Sequence, residues 1–230
     1  MKTIGLIGGM SWESTASYYR LINEAVKHKL GGLHSAELCL YSVDFAKIEA
    51  YQQAGDWEKT ADILIQAAQN LEKAGAACLL ICTNTMHLVA PQVQAAIDIP
   101  LLHIADATAQ AIKQQNIDKI ALLGTAYTME KDFYKGRLID KYQLDVIVPN
   151  AHDRALVHNI IYDELCLGHI NDTSRHEYLR IINSLVEQGA QGIILGCTEI
   201  ALLIKPRDTT VKLFDTTQIH ALAAVDWALS

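Results

Sequence analysis

The stretch Glu72-Lys-Ala-Gly-Ala-Ala-Cys-Leu-Leu-Ile-Cys-Thr-Asn84 returns 115 residues later as Glu187-Gln-Gly-Ala-Gln-Gly-Ile-Ile-Leu-Gly-Cys-Thr-Glu199. Each copy is an apolar run closing on Cys-Thr. The same offset sets Tyr18-Tyr19-Arg20 against Phe133-Tyr134-Lys135, and an offset of 116 sets Thr3-Ile-Gly-Leu-Ile-Gly8 against Lys119-Ile-Ala-Leu-Leu-Gly124. A repeat of half a 230-residue chain predicts two similar domains, each long enough to bury its own core.

Around these stretches, short apolar runs alternate with segments of helical period, the pattern of a parallel sheet with crossover helices. Eight strands are expected, at residues 3–7, 37–42, 77–82, 101–104, 119–123, 145–148, 192–196 and 211–214. Leu64, Ala67, Ala68 and Leu71, and later Tyr178, Ile181, Ile182, Leu185 and Val186, recur at helical spacing and mark two amphipathic helices. The fold class is therefore α/β, read as two Rossmann-like domains with mostly parallel sheets related by a pseudo-twofold axis. Ligands of open α/β sheets bind at the carboxyl ends of the strands, so an active site is expected in a cleft between the two domains.

Composition narrows the function. Half the residues are hydrophobic and a fifth charged, which excludes a disordered chain. The net charge of −7, without a basic cluster, argues against nucleic acid and membrane surfaces as partners. Apolar runs such as Cys78–Cys82 fall far short of the roughly 18 residues of a membrane span. No signal-peptide pattern opens the chain, and a cytoplasmic protein is expected. Five cysteines without a C-x-x-C pair indicate neither a disulfide framework nor a zinc knuckle, so no metal site is expected.

Cys82 and Cys197 each end an apolar run and precede residues that favour helix caps. A thiol at a helix N-terminus is expected to ionise more readily, and the free N–H groups, with Thr83, Asn84, Thr85 and Thr198, offer a seat for a carboxylate. Two similar bases on opposite sides of a carbon acid suit inversion at that carbon, one removing a proton and the other delivering one. Such a reaction explains why equivalent residues would occur in equivalent repeats.

The segments Ile4-Gly-Leu-Ile-Gly-Gly-Met-Ser-Trp-Glu-Ser14, Cys82-Thr-Asn-Thr-Met-His87, His103-Ile-Ala-Asp-Ala107 and Leu195-Gly-Cys-Thr-Glu199 resemble the aspartate/glutamate racemase family, essentially end to end. The likeness is greatest to bacterial aspartate racemases and broad-specificity amino-acid racemases. It implies a cofactor-independent isomerase acting on a small-molecule amino-acid substrate, commonly as a homodimer. The implied domains are 1–104, completed by 214–230, and 105–213. By matching motif, Cys82 and Cys197 become the two proton carriers, and Thr83, Asn84 and Thr85 hold the substrate carboxylate. Met10, Thr125 and Thr198 complete the pocket, and Gln52 lies where relatives place a polar substrate contact. No Lys or Arg occupies Ile161-Tyr-Asp-Glu-Leu-Cys-Leu-Gly168, where aspartate-selective relatives carry a basic residue, so broad specificity is expected.

Other readings stand beside these. Cys39, Cys78 and Cys166 read as packing residues. His87 is either a packed histidine or one that tunes Cys82, and Glu199 either complements a helix dipole or helps move protons at Cys197. Gly5, Gly8 and Gly9 do not have the G-x-G-x-x-G spacing of a dinucleotide site and are read as letting backbone approach a small substrate. Alternative functions are a maleate isomerase, decarboxylase or hydantoin racemase with the same cysteines, or a non-catalytic protein that binds a small carboxylate.

Overall fold

The structure, a computed structural model, describes residues 1–230. In chain order the elements are β1 (Ile4–Gly8), α1 (Trp12–Leu30), β2 (Leu38–Ser42), α2 (Phe45–Ala54), α3 (Trp57–Lys73), β3 (Cys78–Ile81), a 3₁₀ turn (Thr85–Val89), α4 (Ala90–Ala95) and α5 (Ile104–Lys113). There follow β4 (Lys119–Gly124), α6 (Ala126–Glu130), α7 (Lys135–Tyr142), β5 (Asp145–Ile147), α8 (Ala151–Asp163), a second 3₁₀ turn (Leu165–Leu167), α9 (Asp172–Glu187), β6 (Gly192–Gly196), α10 (Ile200–Leu203), β7 (Lys212–Asp215) and α11 (Thr216–Leu229). None of the helices is long and apolar enough to cross a membrane.

The chain forms two compact units, 1–104 with 220–230, and 105–219. The first carries a three-stranded sheet ordered β2-β1-β3, the second a four-stranded sheet ordered β5-β4-β6-β7, and every pairing is parallel. Strands β1, β3 and β6 are buried along their whole length, as strands covered on both faces require. In the first unit Ile7, Leu79 and Ile81 pack with Leu64, Ala67, Ala68 and Leu71 of α3, while Ile4, Leu6, Cys78, Leu80 and Cys82 pack with Tyr18 and Ile22 of α1 and with Ala221, Ala224 and Val225 of α11. The i, i+2 alternation of β3 assigns its residues to these two layers.

Seven strands form rather than eight. Residues 101–104 make one parallel bridge, Leu79 to Leu101, before α5 begins at Ile104. The bridge occupies the place beside β3 that β7 takes beside β6, but helix onset leaves too little chain for a strand. The C-terminal return also differs from the expected one. Phe214 and Asp215 pair with Ile194 and Leu195, which ties them to the second sheet, and the return to the first unit begins at His220. On α9, Tyr178, Ile181, Ile182 and Leu185 are buried as expected, whereas Val186 faces outward.

Gly8, the last residue of β1, and Gly9 after it are both held in close packing. Gly9 has φ +91°, and a Cβ there would fall 2.2 Å from the Val43 carbonyl oxygen. A Cβ on Gly8 would fall 2.3 Å from the Thr15 methyl group. The turn is thus held against α1 and the loop after β2, with Gly9 N–H donating to Thr15 Oγ1 at 2.8 Å.

Candidate active site

At the carboxyl edge of the first sheet, the backbone N–H of Cys82 donates to the Ile7 carbonyl at 2.9 Å, and the Cys82 carbonyl accepts from Ser14 Oγ at 3.1 Å. The Cys82 side chain shares the layer of Cys78 and Leu80, with 0% exposure, and burial pushes its thiol up. A proton-carrying thiol is expected here, and strand alternation turns it toward α1 and α11. Thr83, the next residue, is half-buried, and Asn84 and Thr85 are buried at the turn. Met10 packs in the opposite apolar layer with Met86, and Gln52 Nε2 donates to the Met86 sulfur at 2.9 Å. Met10 and Gln52 therefore converge around one methionine beside the Thr83–Thr85 turn.

Sheet register identifies the counterpart of each residue. Ala77 N–H donates to Thr3 O as Gln191 N–H does to Lys119 O, and Ile7 lies beside Ile81 as Leu123 lies beside Leu195. Gly75 and Gly189, both at positive φ, end the preceding helices in the same way. The structural repeat over this region thus has an offset of 114 residues rather than 115. Cys82 corresponds to Gly196, and Thr83 corresponds to Cys197. The coincidence of Cys-Thr with Cys-Thr is one residue out of structural register. The matching Gly75-Ala and Gly189-Ala pairs are the signal in the sequence that reveals it.

At the edge of the second sheet, Gly124 pairs with Gly196, so Thr125 and Cys197 emerge side by side from adjacent parallel strands. Thr125 caps α6, accepting from Thr128 N–H at 3.3 Å. Cys197 is 9% exposed, and its thiol donates to Glu199 Oε2 at 3.0 Å. Thr198 Oγ1 donates to the same oxygen at 2.6 Å. Glu199, whose role the sequence left open, is buried and gathers both donors.

The helices after the cysteines do not supply the expected thiol activation. Thr85–Val89 is a 3₁₀ turn without a side-chain cap bond, and α10 has four residues. Short helices sum few peptide dipoles. Burial, followed by the charge of Glu199, instead pushes the Cys197 thiol well above its ordinary range. Elsewhere in the second unit, a cavity of about 400 Å³ lined by Gln114, Lys205, Lys212 and Phe214 includes none of the residues expected at the site.

The sequence profile of Asp/Glu/hydantoin racemases matches residues 7–224. A Yersinia pestis protein provisionally assigned as an Asp/Glu racemase superposes with a TM-score of 0.94 and 60% identity, covering 100% of both chains. An aspartate racemase homologue from Pyrococcus horikoshii OT3 does so with a TM-score of 0.86 and 38% identity, again covering 100% of both. The broad specificity amino-acid racemase RacX of Bacillus subtilis is 22% identical over 228 residues, 99% of this chain and 98% of the relative. With a profile that spans nearly the whole chain and two parallel α/β units of the racemase fold, this protein belongs to the Asp/Glu/hydantoin racemase family, a family of isomerases that work without pyridoxal phosphate.

Proposed function

We propose that this protein racemises free amino acids at Cα, with Cys82 and Cys197 as the two thiols that carry the α-proton. The observation that carries the reading is the buried Cys197–Glu199 pair at the carboxyl edge of β6, in a chain of the racemase family. A thiol held protonated by burial needs a local proton acceptor before it can act as a base, and Glu199 Oε2 lies along the S–H bond. Transfer of that proton to Glu199 leaves a thiolate, which takes the α-proton and regenerates the thiol. Negative charge then develops over Cα and the substrate carboxylate. Hydroxyl and amide donors from Thr83, Asn84, Thr85, Thr125 and Thr198 are suited to stabilise it.

Inversion demands a proton from the other face of Cα. Cys82, at the carboxyl edge of the first sheet, is read as the second thiol, delivering that proton and, for the opposite enantiomer, removing it. We read the substrates as extending beyond aspartate, with no prosthetic group, and the enzyme as a cytoplasmic homodimer.

Proton NMR in D2O with a panel of L-amino acids tests the reading. Loss of a Cα proton with appearance of the D-form is the expected result. Absence of exchange for every amino acid in the panel overturns it.

A further inference from the structure

Strand β2 ends the first sheet, with β1 on one side and no strand on the other. Ile4 N–H donates to the Glu37 carbonyl at 2.9 Å and Val43 N–H to the Gly8 carbonyl at 3.0 Å. The backbone groups of Cys39 and Tyr41 therefore also turn toward β1, and those of Leu38, Leu40 and Ser42 turn away from it. Nothing in the chain bonds to these outward N–H and C=O groups. Leu40 and Tyr41 point to opposite faces of the sheet and are 46% and 37% exposed. What this edge lacks is a further strand together with the layers that cover it.

Free edges invite pairing, and proteins guard them with charge, proline, short length or a cover. The other edges of the two sheets are guarded. β3 is bridged by Leu101, β5 has three residues and an exposed Asp145, and β7 carries Lys212 and Asp215 at its ends. The five residues Leu38-Cys-Leu-Tyr-Ser42 include neither a charge nor a proline.

We propose that β2 is an interface between two copies of this chain, paired antiparallel about a twofold axis at Leu40. The inference rests on the homodimer reading and deepens it. In this register Leu40 faces Leu40 of the partner subunit and Leu38 faces Ser42 of the partner subunit, so every outward group gains a bond and the two three-stranded sheets become one. No like charges meet, because Glu37 falls opposite Val43 and Asp44 opposite Ala36. A stable dimer needs about 800 Å² per partner, more than one short strand supplies. The same flank extends it. Tyr19, Asn23 and Leu30 share a stripe of α1, with Tyr19 and Leu30 exposed, and Asn23 Oδ1 accepts from Ala36 N–H at 2.9 Å. That bond sets the stripe beside the loop leading into β2, where Leu33 is fully exposed.

Sedimentation of the whole protein at micromolar concentration, together with disulfide trapping, tests the interface. Wild type is expected to be a dimer, and Leu40→Lys, which sets two like charges face to face, should weaken association at least tenfold. Leu40→Cys should form an interchain disulfide under mild oxidation, since facing hydrogen-bonded residues lie about 5.5 Å apart at Cα. Cys39 is diagonal to its own copy, about 7–8 Å away, so the wild type should stay unlinked. A dimer that tolerates Leu40→Lys and yields no Leu40→Cys link overturns this interface while the homodimer reading stands. A wild-type monomer that still exchanges Cα protons removes dimer and interface but keeps the racemase. If the variants do not fold, hydrogen exchange on wild type decides. Protection of the Leu38, Leu40 and Ser42 amides is expected in the dimer, and their rapid exchange there overturns the proposal.

Discussion

Thr83 holds in the first sheet the register position that Cys197 holds in the second, each one residue beyond the strand residue that lies opposite the glycine closing the central strand, Gly8 or Gly124. The buried Cys82 corresponds to Gly196, where an added Cβ would fall 2.8 Å from the Leu123 carbonyl oxygen. The two turns are thus equivalent in backbone register but place their cysteines one position apart.

Cys82→Ser is expected to lose inversion at least tenfold and to lose stability as well, because a hydroxyl would replace a core sulfur at a cost of about 1–3 kcal/mol. Cys197→Ser is expected to abolish both Cα exchange and inversion. Activity by NMR and unfolding by urea measure the two effects. Wild-type turnover in a stably folded Cys82→Ser protein would overturn the two-thiol scheme.

Thr83→Ala removes a hydroxyl donor read as holding the substrate carboxylate while leaving both thiols in place, so Cα exchange and inversion should fall together, by about tenfold. Proton NMR in D2O reads both signals, and wild-type rates would argue against a carboxylate contact at this position.

Glu199→Gln separates thiol acidity from catalysis. The charge of Glu199 helps to push the Cys197 thiol up, so removing it brings the thiol pKa down and should hasten alkylation by iodoacetamide at pH 8. Turnover should nevertheless fall by about 10²–10⁴, because the acceptor of the thiol proton is gone. Slower alkylation together with unchanged turnover would contradict the pairing.

Stability should fall in acid through two buried histidines. Burial lowers the pKa of His220 to about 4 and holds His87 well below its ordinary 6.5, with His103 and His220 adding repulsion at His87. About a unit above pH 6.5 both are neutral whether folded or unfolded and contribute almost no slope. As pH drops from 6.5 toward 4 the unfolded chain binds protons that the folded chain does not, and stability declines by up to about 1.4 kcal/mol per pH unit for each group. Urea midpoints at pH 7.5 and pH 5 read the decline, and His220→Gln should reduce the slope.

Gly9→Ala should lower Tm by several degrees or abolish folding, because the residue has φ +91° and the new methyl group would overlap the Val43 carbonyl. Thermal unfolding checks this, and an unchanged Tm would mean that the loop after β2 can retreat without cost.

The sequence by itself determined the α/β class, the duplication, most strand positions and the importance of the two turns after β3 and β6. Continuous apolar runs mark strands buried on both faces, and amphipathic periods mark the helices that cover them, so these features are local in the chain. Glu199 was already within reach of Cys197 by spacing alone, but its role as partner depended on how the turn folds. Tertiary structure decided that the Cys82 side chain joins the layer of α1 and α11, because a displacement of one position in strand register exchanges the two faces. It also decided thiol acidity, where burial outweighs the dipoles of two short helical segments, and the hydrogen bonds of His87 and His220, which reach partners 17 and 202 residues away along the chain.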